Sequence, residues 1–211
     1  MESKTFVYLL DEDEGGQKAL QHLLASHGYN AMGFDEANAF FAFPRPDVPS
    51  CLILNIDLGS MSGLDVQQRL VGVSAMPLIF LTGVGDIRTT VRAMRGGASE
   101  VLSKPVDGDE LVKAVETALL RAEEEWVDVQ IMRQIRNRYE RLTSREREVL
   151  PFIVHGFLNK QTAYELGISE ITIRIHRGQI MRKMKADSLA HLVRIAVCLG
   201  IPGQTSLLID Q

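Results

Sequence analysis

Cysteine and long apolar runs are both scarce in this chain of 211 residues. The only two cysteines, Cys51 and Cys198, show no ligand spacing, which argues against a disulfide framework and against a zinc site. No run of about 18 apolar residues occurs, so we expect no membrane-spanning helix. The first residues are acidic where a secretory signal needs basic ones. We therefore expect a cytoplasmic protein that makes no membrane contact.

The chain also lacks an overall excess of positive charge, since its formal net charge is -4. That total hides an uneven distribution, with -4 over residues 1–106, -4 over 107–140 and +5 over 141–199. A basic module behind an acidic one is typical of a nucleic-acid contact surface attached to a domain that does not touch nucleic acid. At about 100 to 150 residues per domain, the length accommodates two small domains.

Short apolar runs alternate with amphipathic helical patterns in the first half of the chain. The apolar runs cover residues 6–10, 51–56, 77–81 and 100–102. The helical patterns between them cover residues 16–27, 63–71 and 87–94. Such repeated strand and helix units predict an α/β fold with a doubly wound parallel sheet, because strands covered on both faces are apolar throughout. The functional pocket of such a sheet lies at the carboxyl ends of its central strands.

Polar side chains follow each apolar run, where the predicted strands end. In chain order they are Asp11, Glu12, Asp13, Asn55, Asp57, Thr82 and Lys104. Clustered carboxylates suit a hard divalent cation, while a hydroxyl and an ammonium group suit an anion such as a phosphoryl group. The alternative is a set of solvated loop residues with no common site.

In the types and positions of these polar residues, residues 4–122 resemble the receiver domain of two-component response regulators. This resemblance implies a flavodoxin-like, five-stranded parallel sheet. The family's acidic pair, hydroxyl residue, lysine and proline after a cis peptide fall on Asp11, Glu12, Thr82, Lys104 and Pro105. The segment CLILNIDLGSMSGLDV resembles the family's phosphoacceptor strand and puts Asn55 at the acceptor position.

Asn55 departs from the family pattern at the point where its chemistry takes place. A receiver attacks a phosphoryl donor with a carboxylate oxygen, and an amide cannot form an acyl phosphate, so we expect phosphorylation to fail. Gly59 replaces the usual proline, and Val101 replaces the aromatic residue that moves on activation. Together these departures favour a naturally degenerate receiver over an engineered change in an ordinary phosphorylation-dependent regulator. Asp57 is the disfavoured substitute acceptor, because it lies beyond the strand end.

The resemblance also implies a Mg²⁺ site, which the missing carboxylate at position 55 weakens. Asp11, Glu12 and the backbone carbonyl of Asp57 could still hold the ion weakly. We expect no enzyme, because a phosphohydrolase would need an acidic nucleophile or a histidine near the pocket. A receiver that serves as a protein-interaction adaptor stays open as an alternative.

From Asp107 onwards the pattern becomes one long helix, in which apolar residues recur every three or four positions from Leu111 to Leu142. This spacing is close to a heptad seam. It predicts either a dimer contact or a helix that covers the sheet and then continues as a solvated linker. We assign residues 1–122 to the receiver, 123–140 to a helical linker and 141–211 to a DNA-binding domain.

Residues 141–200 show no strand pattern and predict four short helices. Thr143 and Glu146 have capping-box spacing, and the other predicted caps are Asn159, Ser169 and Ser188. A short helix, a turn at Gly167 and a longer helix form a helix-turn-helix arrangement. The segments LTSREREVL, ELGISE and IMRKM resemble the DNA-binding domain of the LuxR, NarL and FixJ regulators, and the combination with a receiver is most like the FixJ subgroup.

Helical spacing from Ser169 separates a core side from an outward side. The core side carries Ile173, Ile180 and Met184. The outward side carries Ile171, Arg174, Ile175, Gly178, Gln179 and Arg182. We predict that bases are read by Arg174, Ile175, Gly178 and Gln179, with thymine methyl groups as partners for the isoleucines. We predict phosphate contacts for Lys160, Thr172, Arg177, Arg182 and Lys183. Arg177 could instead lie along the core side, and His176 could satisfy a backbone group.

The predicted partner is double-stranded promoter DNA. The last helix is apolar on more than one face, which predicts a homodimer at least on DNA, with core packing alone as the alternative. A receiver and a transcription-regulator domain also imply contacts with a sensor kinase or with RNA polymerase.

Overall fold

The structure is a computed structural model that describes residues 5–59, 61–72, 76–83 and 87–201. The chain divides into two compact units, and the division falls between Val127 and Asp128. None of the described helices has the length and apolar character that crossing a membrane requires.

The described part of the first unit contains seven strands. They are β1 (Phe6–Leu10), β2 (Asn30–Phe34), β3 (Ser50–Asn55), β4 (Asp57–Leu58), β5 (Met61–Ser62), β6 (Leu78–Thr82) and β7 (Glu100–Ser103). Five of them form a parallel sheet in the order β2-β1-β3-β6-β7, and β4 pairs with β5 as an antiparallel hairpin. This confirms the predicted doubly wound sheet. The order reverses between β1 and β3, which places the pocket at their carboxyl ends.

Helices cover both faces of this sheet. They are α1 (Glu14–Ser26), α2 (Ala37–Ala42), α3 (Gly63–Leu70), α4 (Ile87–Arg95) and the first part of α5 (Gly108–Glu140). Alternate residues of β1 enter different cores, because side chains in a strand alternate between the faces. Tyr8 packs in the core that includes Phe40 of α2, and Leu9 packs in the core that includes Leu111 of α5.

The edge strand β2 was not indicated by any apolar run. Its sequence NAMGF is exposed or only partly buried along its whole length. A strand at the edge of a sheet has fewer neighbouring side chains over its faces than a central strand, so its positions need not all be apolar. Of the four strands that the apolar runs did predict, β1, β3 and β6 are buried at most positions, whereas β7, at the other edge of the sheet, buries only Leu102.

As the pattern predicted, the second unit contains helices and no strand in its described residues, 128–201. They are the last part of α5 and α6 (Ser144–Val154), α7 (Asn159–Leu166), α8 (Glu170–Met184) and α9 (Leu189–Cys198). The predicted caps form at three of the four helices: Thr143 and Glu146 make a capping box, and Ser169 and Ser188 each accept a backbone N–H. Gly167 ends α7 in the left-handed conformation that favours glycine, with φ 64°.

The predicted cap of α7 is wrong. Asn159 is the first residue of the helix, and the cap position belongs to Leu158. The Leu158 N–H donates to Oε1 of Gln161, so a side chain inside the helix satisfies this end. The Asn159 side chain is used elsewhere, since its Oδ1 accepts from Arg177.

The long helix α5 buries its apolar seam near both ends but not in the middle. Leu111, Val115 and Ala118 are buried in the first unit, and Ile135 is buried in the second. Val129, between them, is 42% exposed. Near the division of the chain, Trp126 donates its indole N–H to the backbone carbonyl of Asp47, with an N···O distance of 3.1 Å. Packing within each unit therefore explains most of the seam without a second chain.

Candidate functional site

A buried carboxylate lies at the centre of the predicted pocket. Asp11 follows β1 directly and is 6% exposed. Its Oδ2 accepts from Nζ of Lys104 at 2.7 Å, and its Oδ1 accepts from Nδ2 of Asn55 at 3.1 Å and from the backbone N–H of Asp13 at 3.1 Å. The structure therefore brings Asp11, Asn55 and Lys104 together, and each oxygen of the carboxylate already has a donor.

The ends of the central strands position these side chains. Asn55 is the last residue of β3 and pairs in register with Leu81. Lys104 follows β7, and its backbone N–H donates to the carbonyl of Thr82 at 2.7 Å, which continues the sheet by one residue. The peptide between Lys104 and Pro105 is cis, as the resemblance implies.

A glycine holds α3 against the end of β3. The Gly63 N–H donates to the carbonyl of Ile56 at 2.8 Å. A Cβ at position 63 would lie 2.6 Å from the backbone oxygen of Asn55, which is closer than real side chains approach. Only glycine therefore permits this approach, which gives a physical reason for the glycine in the MSGLD segment.

The remaining predicted pocket residues lie around this cluster. Thr82 is buried, and its hydroxyl donates to the carbonyl of Gly83 at 3.3 Å. Glu12 is exposed, and its carboxylate lies over Gly59, where an added Cβ would meet both oxygens at 3.0 Å. The missing side chain at Gly59 therefore leaves room for Glu12. Asp57 is exposed in β4, beyond the end of β3.

These residues fit a divalent cation poorly. Among the described residues, no group of three or more His, Cys, Asp and Glu side chains is placed to hold a metal ion. The Asp11 carboxylate already accepts from the Lys104 ammonium and the Asn55 amide, and the ammonium charge repels a second cation at this site. The weak site of Asp11, Glu12 and the Asp57 carbonyl, which would use only two carboxylates, stays a prediction.

The helix α8 has the two sides that its sequence predicted. Ile173, Ile180 and Met184 are fully buried. The outward side is exposed at Ile171, Arg174, Ile175, Gly178 and Arg182, while Gln179 is partly buried. The second unit therefore presents an uncovered helix face of mixed apolar and basic character.

Some polar groups on this face already have partners. Oε1 of Gln179 accepts from Nη2 of Arg182 at 2.5 Å, which orients the Gln179 amide. Arg174 makes only a loose ion pair with Glu170 at 3.9 Å, and such an exposed pair stabilises the helix little. A Cβ added at Gly178 would meet nothing within 4 Å. The fold thus leaves Arg174 and Gly178 available for an outside partner.

Some of the predicted phosphate contacts are exposed, and others already bond to groups within the protein. Lys160 and Arg182 are exposed. The Thr172 hydroxyl is bonded to Oγ of Ser169 at 2.8 Å. Arg177 is partly buried and donates to Asn159 at 3.5 Å, so its guanidinium lies between α8 and α7. His176 is partly buried as well.

Lys183, which the sequence predicted as a phosphate contact, forms an ion pair inside the second unit. Its Nζ donates to Oε2 of Glu146 at 2.6 Å, and Glu146 is 4% exposed. The same carboxylate oxygen accepts the backbone N–H of Thr143 at 2.7 Å. A buried carboxylate left unpaired is costly, so this ammonium is held within the fold, joining α8 to the start of α6.

Two exposed apolar residues beside α8 were missed by sequence reasoning. Tyr164 of α7 is 85% exposed, and Leu158 before α7 is 67% exposed. The sequence could have indicated Tyr164, because it follows the exposed Lys160 by four residues and therefore lies on the same helix face.

Comparisons with known proteins agree with both halves of this geometry. The model of the response regulator receiver domain matches residues 7–116, and that of the bacterial regulatory proteins of the luxR family matches residues 140–196. Nodulation protein W of Bradyrhizobium diazoefficiens is 40% identical over 94% of this chain and 88% of its own length. Transcriptional regulatory protein FixJ of Rhizobium meliloti is 38% identical over 92% of this chain and 96% of its own length. The solved structure of the response regulator StyR matches with a TM-score of 0.82 and 38% identity, over 92% of this chain and 98% of that one.

The pair between Glu146 and Lys183 makes the stability of the second unit depend on pH. Burial alone would raise the pKa of the Glu146 carboxyl, but the hydrogen bonds from Lys183 and Thr143 and the Lys183 charge outweigh it and hold this pKa below its usual 4.5. The folded state therefore gains stability from this group above about pH 4.5 and loses it as the pH falls through the lowered pKa.

We expect Glu146→Gln to lower the free energy of unfolding by about 1 to 3 kcal/mol at neutral pH, because the Lys183 ammonium loses its charged partner. Denaturant titrations from pH 3 to pH 7 measure the effect, and the variant should lose part of the decline that the wild type shows at acid pH. The exposed neighbour Glu148 provides a control as Glu148→Gln. An equal decline in wild type and Glu146→Gln would contradict the role of this pair.

Proposed function

The chain belongs to the response regulators that combine a receiver domain with a LuxR-type DNA-binding domain. We propose that it regulates transcription without phosphorylation of its receiver. The family consists of DNA-binding transcription regulators rather than enzymes, in agreement with the sequence prediction. Beyond this family membership, we propose that the receiver of this chain has no phosphoacceptor.

The observation that carries the proposal is the hydrogen bond from the Asn55 amide to Asp11. An amide has no anionic oxygen with which to attack a phosphoryl donor. A carboxylate at position 55 would lie beside the Asp11 carboxylate, and two such charges repel unless a cation separates them. Asn55 instead donates to Asp11, and Lys104 supplies the single positive charge that balances it. Both oxygens of the Asp11 carboxylate therefore have hydrogen-bond donors without a bound phosphoryl group.

Asp57 is a poor substitute for the missing acceptor. It lies in the hairpin strand β4, paired in register with Ser62, and its side chain is exposed. A phosphoryl group there would be solvated and would not depend on Lys104. The proposal therefore assigns no acceptor to this chain.

The exposed face of α8 supports DNA as the partner. Residues 141–199 carry a net charge of +5, which favours a polyanion. Arg174 and Gly178 are the best placed of the predicted base contacts, because the first is exposed and loosely paired and the second lets the backbone approach a groove. Of the predicted phosphate contacts, Lys160 and Arg182 are exposed, and we propose that both contact DNA phosphates.

A second copy of the chain is the further partner that we propose. In α9, Leu189 and Val197 are exposed while Leu192 is buried, so the helix keeps an apolar face outside the core. A two-fold dimer on this face would read a roughly palindromic site. Contacts with a sensor kinase and RNA polymerase, and a cytoplasmic location, belong to the proposal as implications of the family.

The direct test is capture of fragmented genomic DNA by the untreated full-length protein at two salt concentrations. We expect enrichment of a small set of fragments that share a palindromic motif, and a lower yield at the higher salt, because phosphate contacts release counterions. A failure to enrich any fragment at either salt concentration would contradict DNA regulation and favour a role in protein interaction.

The phosphorylation claim is tested by incubating the protein with a small phosphodonor and measuring its mass. We expect no change in the wild-type mass, because position 55 has no acidic nucleophile. Asn55→Asp, with an acid at this position, is the control that the donor is active. An acid-labile adduct on the wild type that disappears in Asp57→Asn would contradict the proposal.

Gly178 should affect stability and DNA binding in opposite directions. We expect Gly178→Ala to raise the free energy of unfolding by about 0.5 to 1 kcal/mol, because glycine weakens a helix interior and the new methyl group meets nothing in the protein. The same methyl group should weaken specific DNA binding if the backbone approaches the duplex there. Thermal unfolding and DNA titration give the two readouts.

Asn137→Ala is the matched control for this variant, since it also raises helix propensity at an exposed position but lies on α5. It should stabilise the chain and leave DNA affinity unchanged. Unchanged affinity in Gly178→Ala as well would show that α8 does not approach DNA closely at this residue.

A further inference from the structure

Two buried polar atoms in the first unit have no hydrogen-bond partner among the residues that the structure describes. They are the hydroxyl oxygen of Tyr8 and Nη1 of Arg45. Tyr8 is 0% exposed within β1, and Arg45 is partly buried in the segment that follows α2. Buried polar atoms in folded proteins nearly always have a partner, so two unpartnered donors in one unit point to a group that is not part of the chain.

The two donors lie against the same aromatic ring. The Tyr8 ring packs edge to face with the Phe40 ring, with 5.8 Å between the centroids, and Cζ of Arg45 lies 4.7 Å from the centroid of that ring. The two groups also interact electrostatically, because the Arg45 charge opposes the rise that burial causes in the pKa of Tyr8. Tyr8 and Arg45 are therefore neighbours at Phe40 whose unpartnered atoms do not bond to each other.

The other rings around Tyr8 make these surroundings apolar. Phe6, Phe34 and Phe43 have their centroids 6.1, 6.2 and 6.4 Å from that of the Tyr8 ring. An aromatic face attracts the guanidinium group as a whole, but it offers no oxygen to accept from either donor. A partner for both donors therefore has to bring its own acceptor atoms.

The chemistry of the two donors defines the ligand that would satisfy them. Arg45 is positively charged at any physiological pH, and the raised pKa of Tyr8 keeps its hydroxyl protonated and able to donate. One negative charge balances the guanidinium, whereas a second would be buried among aromatic rings without compensation. Planar oxyanions match a guanidinium best, and their second oxygen is free to accept from a neighbouring hydroxyl.

We propose that Tyr8 and Arg45 bind a small monovalent oxyanion of the carboxylate type, which accepts from the Tyr8 hydroxyl and from Nη1 of Arg45 beside the Phe40 ring. Arg45 is partly exposed, which gives the anion a way in from the surface. The site is separate from the cluster at Asp11, because the Tyr8 side chain packs in the core that includes Phe40 of α2. The inference does not rest on the proposed function, since it involves neither phosphorylation nor DNA.

Thermal unfolding of the full-length protein at neutral pH tests this site, with formate as the probe. Sodium gluconate at the same concentration is the reference, because its anion is too bulky for a site between packed rings. A ligand that binds only the folded state stabilises it by mass action, so formate at ten times its dissociation constant should raise the folding equilibrium constant about elevenfold. We expect the unfolding midpoint of the wild type to rise with formate and not with gluconate.

Two variants assign the effect to the proposed donors. Tyr8→Phe removes the hydroxyl and keeps the ring, so it should be at least as stable as the wild type in gluconate, because a buried donor without a partner is lost. In formate it should lose the rise in midpoint. Arg45→Gln should also lose the response to formate, whatever its own stability in gluconate.

Arg69→Gln is the matched control for the loss of a cation. Cζ of Arg69 lies 4.1 Å from the centroid of the Phe41 ring, so this variant removes the same charge and the same kind of ring contact from the first unit. Arg69 is exposed, however, and is hydrated without a ligand. The variant should keep the full response to formate. General salt effects act on all four proteins alike, and the difference between them isolates the site.

Each contrary outcome would overturn the anion site in a recognisable way. Equal midpoints of the wild type in the two salts would show that formate does not bind. A formate response that persists in Tyr8→Phe or in Arg45→Gln would place the binding elsewhere in the chain. A loss of stability in Tyr8→Phe that is equal in both salts would show that water satisfies the hydroxyl. None of these results would affect the proposed regulation of transcription.

Discussion

A buried carboxylate must find a positive charge and enough hydrogen-bond donors, and each unit of this protein is arranged around one such group. In the first unit Asp11 meets Lys104 and Asn55, which come from the ends of two other strands. In the second unit Glu146 meets Lys183 and the Thr143 backbone. Because an unpaired buried charge costs several kcal/mol, the sheet ends and the helix ends cannot separate without a large loss of stability.

Much of the fold could be predicted from the sequence, since burial on both faces makes a strand apolar throughout. The three central strands show this pattern fully, whereas the edge strands β2 and β7 are less buried, and only β7 kept a short apolar run. In α8 the spacing alone separated Ile173 from Ile175 correctly, because a helix has a fixed angular period. Sequence reasoning succeeds where one periodic constraint dominates.

The candidate sites were less predictable, because the direction of a long polar side chain depends on what packs across from it. Lys183 follows a residue of the outward face, yet it turns toward Glu146, which lies 37 positions earlier in the chain. Asn159 looks like a cap, but its side-chain oxygen instead accepts a hydrogen bond from Arg177. The acids at Asp11 and Glu12 were predicted together, and the structure separates them into a buried group and an exposed one. Such choices follow from tertiary contacts that no local pattern encodes.

The chain contains a single tryptophan, and its indole N–H is bonded to the Asp47 carbonyl. Indole emission therefore comes from one place, close to the division between the two units. Trp126 is only partly buried, so any event that detaches this part of α5 from the loop at Asp47 would remove this hydrogen bond, expose the ring further to water and change its fluorescence. The native protein thus carries an internal optical probe of its connecting helix, and no attached dye is required to follow it.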